Sequence, residues 1–253
     1  MHEISASSLR EKLLKPAADI RSILRWGYPK FATIRFVADH AGLDARERQI
    51  LTRVVLPPDK TVSRAKKKLD CERIGGKPLL IDGYNVLLSV DSLLKGESMW
   101  LCDDSFIRDT RFYFGKAKHA GGMEEALEEL LSFLNETGPK SVTFLLDSQI
   151  SRSGELAGII RNRLNEKGIT GEARTSKHVD FDLKTAGKFT WKKNEESTGR
   201  SARENIGKNS EKYTGESPVI ATSDGIIIDA VFEVLDIPAC LMEKKGLEPL
   251  KLH

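Results

Sequence analysis

The stretch LLIDGYNVL, residues 79–87, is the part of the sequence that decides the fold. Residues 79–81 form an apolar run typical of a buried strand, and Asp82-Gly83 ends it with residues that favour a turn. Open α/β sheets carry their sites at the carboxyl ends of their strands. The sequence therefore predicts that Asp82 lies at the site edge of such a sheet.

Two later stretches end in the same way. In VTFLLDS an apolar run over 142–146 is closed by Asp147, and in PVIATSDG a run over 219–222 is followed by Asp224. Each aspartate taken singly is more typical of a structural turn. Three strands that share this ending predict one common acidic pocket.

From residue 78 onward, strand patterns alternate with helix patterns. This alternation is typical of an α/β fold with a doubly wound, mostly parallel sheet. The predicted helices cover 124–135, 154–167 and 226–235, and the predicted strands cover 141–146, 169–175, 218–222 and 238–242. A polar segment over 180–183 carries two further acids.

The segment 185–214 breaks this alternation. It holds seven Lys+Arg against four Glu and few apolar residues, which predicts a surface insertion. Two interpretations stay open for it, a passive loop or a basic flap over a nucleic-acid channel.

Residues 1–74 lack strand patterns and predict a small all-α domain, followed by an α/β domain over 78–253. Pro16 should interrupt the first helix. A helix-turn-helix arrangement over 31–54 follows, in which Asp44 caps the later helix with Glu47 as its capping-box partner.

The charge is unevenly distributed between these parts. Residues 1–77 hold 17 Lys+Arg and 9 Asp+Glu, whereas the remainder is acidic. Basic surface adds sequence-independent affinity for phosphate, although solvated helices explain the same excess. The predicted RNA-binding residues are Arg64, Lys66, Lys67, Lys68 and Arg108.

Other features narrow the class of protein. No window approaches the roughly 18 uninterrupted apolar residues that a spanning helix needs, so we expect a cytoplasmic protein without membrane contact. Cys71, Cys102 and Cys240 are odd in number and widely spaced, which predicts unpaired thiols rather than a disulfide framework or a zinc site. The oligomeric state, including a homo-oligomer, stays open.

Carboxylates dominate the candidate site. The predicted members are Asp82, Asp147, Asp180, Asp182, Asp224 and Asp229, with Asn85 beside the first of them. Oxygen ligands with few histidines suit Mg²⁺ or Mn²⁺, which can activate water and stabilise charge at phosphorus. Ser148 and Ser151 could present hydroxyls to a phosphate, and ordinary helix capping explains that region equally well.

The sequence Asp82-Gly83-Tyr84-Asn85-Val86 resembles the first motif of the PIN-like nucleases, and within them of the NYN branch, where a strand ends in Asp-Gly-x-Asn-Val. The resemblance covers about residues 78–243 and implies a doubly wound sheet, Mg²⁺ bound by acidic residues, and cleavage of RNA. The whole layout also resembles an uncharacterised two-part prokaryotic family, commonest in archaea.

Roles carry over from the resemblance residue by residue. It implies that Asp82 is the first metal ligand and that Asn85 supports it, while Asp180 and Asp224 are the other catalytic acids. Asp182 competes with Asp180 for one role, and Asp147 is a further candidate ligand from the strand pattern. The remaining acid, at position 229, is a weaker match because its spacing from Asp224 is one residue longer than expected.

Two functions follow as hypotheses. The first is a Mg²⁺- or Mn²⁺-dependent ribonuclease, a hydrolase of phosphodiester bonds whose basic helical domain binds RNA. The alternative is a non-catalytic RNA-binding or regulatory protein that retains the PIN-like fold. A HAD-type phosphotransferase is disfavoured because position 84, where its general acid would stand, is Tyr84.

Overall fold

The computed structural model describes residues 6–109, 123–187 and 217–253. Most of the predicted insertion at 185–214 lies outside the described residues, so its role stays a prediction. Within the described residues, no helix is both long enough and apolar enough to cross a membrane.

Within the described residues, six parallel strands form the central sheet, which confirms an α/β fold with a mostly parallel sheet. They are β1 (Lys68–Leu69), β2 (Pro78–Asp82), β5 (Ser141–Asp147), β6 (Gly171–Ser176), β7 (Val219–Ala221) and β8 (Val234–Leu235). Their order across the sheet is β1-β8-β7-β2-β5-β6. A separate antiparallel hairpin is formed by β3 (Met99–Leu101) and β4 (Ile107–Asp109).

Strand β2 lies at the centre of the sheet. Its Leu79 pairs with Val142 of β5 on one side and with Val219 of β7 on the other. All three strands run in the same direction, so the aspartates that follow them lie along one edge, as the sequence predicted.

Helices cover both faces of the sheet, which explains why β2 is apolar on both sides. Leu79 and Ile81 belong to the core beneath one face, and Leu80 belongs to the core beneath the other. The helices are α5 (Gly83–Leu94), α6 (Glu124–Thr137), α7 (Ser153–Glu166) and α10 (Ile237–Lys244) on the first face, with α8 (Val179–Ala186) and α9 (Gly225–Ala230) on the second.

The amino-terminal region is helical, as predicted. It contains α1 (Ala6–Arg25), α2 (Lys30–His40), α3 (Ala45–Val54) and α4 (Pro58–Ala65). The predicted interruption at Pro16 is wrong, because α1 continues through it. Leu13, Ala17 and Ile20 bury one face of α1, and that packing outweighs one missing backbone hydrogen bond. The predicted capping box of Asp44 and Glu47 is confirmed.

Two predicted elements in the α/β region are wrong. The segment 238–242, predicted as a strand, lies in α10, whose start is capped by Asp236 accepting a hydrogen bond from the Ala239 N–H at 3.2 Å. The segment 226–235, predicted as one helix, divides into α9 and β8. Short apolar runs fit either period, so the pattern could not separate them. The polar segment 180–183 lies within α8.

The prediction of three unpaired thiols is also wrong. Cys71 and Cys240 form a disulfide that joins the segment before β2 to α10, across a sequence separation of 169 residues. Cys102 is a buried free thiol. Wide spacing along the chain did not prevent pairing because the sheet brings these two segments together.

The helical region shares its core with later parts of the chain. Leu13 and Ile20 of α1 cluster with Trp100 and Cys102 from the β3–β4 hairpin and with Leu252 near the carboxyl end. The predicted division at residues 75–77 stays a prediction, and packing extends across it.

Candidate active site

The junction between β2 and α5 carries the sequence Asp-Gly-Tyr-Asn. A side chain at Gly83 would place Cβ 2.5 Å from Leu146 Cδ2 and 2.9 Å from the Leu145 carbonyl oxygen. Only glycine therefore lets the start of α5 lie directly against β5. This close approach holds Asp82, the last residue of β2, and Asn85, in the first turn of α5, beside each other.

The loop after β7 binds to this junction through hydroxyl groups. Thr222 donates its hydroxyl to Asp82 Oδ2 at 2.8 Å, and Asn85 Oδ1 accepts the Ser223 backbone N–H at 2.8 Å and the Ser223 hydroxyl at 3.0 Å. Asp224 follows and caps α9, accepting the Ile226 N–H at 2.7 Å. Thr222 and Ser223 were not among the predicted site residues, although a pair of hydroxyl residues directly before a strand-end aspartate was the available signal.

Asp82 lies deep in the site while retaining some exposure to solvent. Burial, together with the negative charges of Asp224 and Asp180, raises its pKa from 3.8 to about 7, while the Thr222 hydrogen bond opposes the shift. The structure thus brings three of the predicted acids within electrostatic reach of one another. Asp180 rather than Asp182 is among the main charges acting on Asp82.

These three acids have a distinctive charge environment. None of them forms an ion pair with a lysine or arginine of the described residues. Within the same residues, no group of three or more His, Cys, Asp or Glu side chains is placed closely enough to hold a metal ion. Asp82, Asp180 and Asp224 therefore concentrate negative charge, but their carboxylates are not close enough together to bind one metal ion as they stand.

The other predicted site residues lie apart from this group. Asp147 accepts the Gln149 N–H at 2.8 Å, and its charge adds to burial in raising the pKa of Tyr84. Ser148 and Ser151 are exposed in the turn after β5. The roles predicted for these three residues stay predictions.

Asp229 points away from the acidic group. Arg64 Nε donates to Asp229 Oδ1 at 2.8 Å, and Lys60 Nζ donates to Asp229 Oδ2 at 2.9 Å. Burial opposes ionisation, but these hydrogen bonds and charges lower the pKa of Asp229 to about 2. The structure gives this residue an ion-pairing task at the contact between α4 and α9.

Most of the predicted RNA-binding cations also make internal contacts. Arg108 donates through Nε to the Ser223 carbonyl at 2.8 Å and through Nη1 and Nη2 to Asp104 at 2.7 and 2.8 Å. Arg108 and Asp104 are both buried, and Arg108 lies in strand β4. Arg108 thus holds the loop of Thr222, Ser223 and Asp224 from behind.

Arg64 supports the same loop from α4. A side chain at Gly225 would place Cβ 2.4 Å from Arg64 Nη1, so the guanidinium lies directly against the backbone that follows Asp224. Arg64 Nη1 also donates to Asp104 at 3.3 Å. Glycine at position 225 therefore leaves room for the arginine that braces the site.

The neighbouring lysines divide into two groups. Lys67 Nζ donates to the carbonyl oxygens of Ile228 and Asp229, each at 2.8 Å, and Lys68 Nζ donates to Asp236 Oδ2 at 2.9 Å. Lys66 is exposed. RNA binding by this run stays a prediction, and for Lys67 and Lys68 the contacts show a structural task.

Together, the fold and the site define an α/β protein with a parallel sheet and an acidic, hydroxyl-lined site at its carboxyl edge. Residues 71–240 match the family described as Domain of unknown function (DUF5616), and the chain belongs to that family. Residues 12–67 match the family described as Protein of unknown function (DUF434). The expectation of an uncharacterised two-part family is thereby confirmed.

An archaeal protein shows the same similarity. Over 171 residues the chain is 36% identical to "Uncharacterized protein MJ0935" of Methanocaldococcus jannaschii, which covers 67% of this chain and 81% of the relative. No solved structure matches the chain.

Proposed function

We propose that this protein is a divalent-metal-dependent ribonuclease with a PIN-like fold of the NYN type. The observation that carries the proposal is the position of Asp82. It is a largely buried carboxylate at the carboxyl end of the central strand, and its pKa is raised to about 7 by burial together with the charges of Asp224 and Asp180. Concentrated, unneutralised carboxylates at such an edge are typical of a metal-dependent site.

The donor chemistry fits a hard cation. Asp82, Asp180 and Asp224 are the residues that would hold Mg²⁺ or Mn²⁺, because carboxylate oxygens are the ligands that these ions prefer. The ion would supply Lewis-acid activation of water and stabilisation of negative charge at phosphorus. Its positive charge would also remove the repulsion that raises the pKa of Asp82.

The chain's own residues position the substrate and the carboxylate. Thr222 fixes one oxygen of Asp82 through its hydroxyl. Ser223 saturates Asn85 Oδ1 with two donors, which directs the Asn85 Nδ2 amide hydrogens away from that loop. Nδ2 donates to no acceptor in the described residues, and so it is available to a phosphate oxygen beside Asp82.

A second function has one observation in its favour. The described acids do not form a group of three at ligand distances, which is expected of a protein that keeps the fold and binds RNA without cleaving it. In that case the protein would be a non-catalytic RNA-binding or regulatory protein. Turnover separates the two functions.

The test uses the purified full chain and a pool of structured and single-stranded RNA. We expect cleavage with Mg²⁺ or Mn²⁺, none in a chelator, and none in Asp82→Asn or Asp224→Asn. Asparagine keeps an oxygen at position 224 that can cap α9, so that variant should fold.

Asp70→Asn is the matched control, because Asp70 is an exposed carboxylate outside the site. Its cleavage rate should equal that of the unchanged chain. RNA retention without cleavage, unaffected by the Asp82 and Asp224 variants, would favour the non-catalytic function instead.

A further inference from the structure

Exposed aromatic side chains are concentrated at one place in the helical region. Of the six exposed aromatic side chains in the described residues, four lie within 26–36. Their exposed fractions are 75% for Trp26, 60% for Tyr28, 76% for Phe31 and 68% for Phe36. Aromatic side chains left this open, and this close together in sequence, are typical of a binding surface.

The local fold explains why these side chains face solvent. Helix α1 ends at Arg25, Gly27 turns the chain with a positive φ of 83°, and Pro29 precedes the first residue of α2. The core-facing positions of the two helices are filled by Leu24, Ile34, Val37 and Ala38 instead. Trp26, Tyr28 and Phe31, which we call the aromatic turn, are therefore not needed for the core.

The charge around the aromatic turn is positive. Residues 20–38 contain four Lys+Arg and no Asp or Glu. The side chains of Arg25 and Lys30 form no hydrogen bond or ion pair with any described residue. Two cations without side-chain partners, next in sequence to exposed aromatic residues, favour a polyanion that also offers flat apolar faces.

Lys30, the first residue of α2, is partly buried beside the aromatic turn. Burial, together with the positive charges of Arg108 and Arg64, lowers the pKa of Lys30 to about 8, and the negative charge of Asp104 opposes the shift. Arg64 and Arg108 are the residues that hold the loop of Asp224. An anion bound beside Lys30 would offset this repulsion.

We propose that the aromatic turn is a stacking platform for single-stranded RNA, with unpaired bases on Trp26, Tyr28 and Phe31 and backbone phosphates beside Arg25 and Lys30. The inference rests on the proposed function for the identity of the polymer. Stacking tolerates every base, so the platform selects unpaired strands rather than a sequence. In a duplex the base faces are stacked on one another, so the platform adds little to the affinity for double-stranded RNA. A second copy of this chain is a poorer occupant, because a symmetric contact would oppose two positive surfaces.

The test measures binding without cleavage. Fluorescein-labelled oligouridine of roughly 16 nucleotides is titrated with the full chain in a chelator, and the same strand paired with oligoadenosine is the comparison. We expect Trp26→Ala, Tyr28→Ala and Phe31→Ala each to weaken binding of the single strand about fivefold or more. Trp26→Phe should retain most of the affinity, because it retains a ring.

Phe232→Ala is the matched control, since Phe232 is an exposed aromatic residue outside the helical region. Its affinity should be unchanged. Equal binding of duplex and single strand, or no loss in the three alanine variants, would overturn the platform. A dimer in sedimentation that Trp26→Ala disperses, without an effect on RNA, would assign the surface to self-association and would also overturn it.

The two proposals fail in different ways. If the alanine variants bind normally but metal-dependent cleavage is seen, the nuclease stands and the platform does not. If the variants lose binding while the unchanged chain never cleaves RNA, the platform stands and the nuclease does not.

Discussion

Replacing Asp82 by asparagine should stabilise the protein when no metal is present. The folded chain raises the pKa of Asp82 from 3.8 to about 7, so the folded state favours the protonated, neutral carboxyl. The stability that this provides is fully present below about pH 4 and is lost as the pH rises through about 7. Asparagine is neutral at every pH and keeps an oxygen that can accept the Thr222 hydroxyl.

The expected size follows from the shift. A difference of about three pKa units corresponds to about 4 kcal/mol in the free energy of unfolding above the folded pKa. For a chain of this length that equals roughly 10 °C in melting temperature. The unfolding free energy of Asp82→Asn should therefore exceed that of the unchanged chain by up to this amount near pH 8, and the two values should be nearly equal near pH 4.

The assay is denaturant unfolding in a chelator, followed by circular dichroism at both pH values. Asp236→Asn is the contrasting control, because Asp236 is a buried carboxylate with partners, accepting from Lys68 Nζ at 2.9 Å and from the Ile107 N–H at 2.8 Å. That variant should lose about 1–3 kcal/mol. The reasoning is refuted if Asp82→Asn is no more stable than the unchanged chain near pH 8, or if its advantage does not depend on pH.

Three further results are expected. Mg²⁺ or Mn²⁺ at about a hundred times its dissociation constant should add about 2.7 kcal/mol to the unfolding free energy of the unchanged chain and much less to that of Asp82→Asn. Thermal melting measures both values, and equal gains would mean that the ion binds elsewhere. Arg108→Met should cost about 3–5 kcal/mol in denaturant unfolding because it leaves buried Asp104 short of a partner, and Asp104→Leu added to it should restore part of the loss. Reduction of the Cys71–Cys240 disulfide should lower the unfolding free energy by roughly 5 kcal/mol at most, whereas Cys71→Ala should abolish the effect of the reductant.

Much of the sheet could be predicted because its strands are short apolar runs with clear ends. Strand β2 ends at Asp82, as the turn residues indicated, and parallel pairing then brings Asp224 to the same edge. The acidic group was therefore visible in the sequence. Asp147 follows the same rule, yet its charge acts on Tyr84, because the sequence does not show which way a side chain turns at the end of a strand.

The contacts of the basic residues could not be predicted, because their partners are distant in the sequence. Arg64 pairs with Asp229, which lies 165 residues further along, and Lys68 pairs with Asp236, 168 residues away. A run of positive charge looks the same in sequence whether it faces solvent or another part of the chain. The disulfide escaped prediction for the same reason, since only the folded sheet brings Cys71 to Cys240.

Strand β1 lies in the short interval between the two matched families, which end at residue 67 and begin at residue 71. Among the described strands it is the outermost of the sheet and pairs with β8, so the last segment of the helical region covers a backbone edge of the other family's sheet. Without β1, strand β8 would be an unpaired edge strand, to which strands of other molecules can pair. A chain that contains only the family matched by residues 71–240 would therefore need another segment to cover that edge.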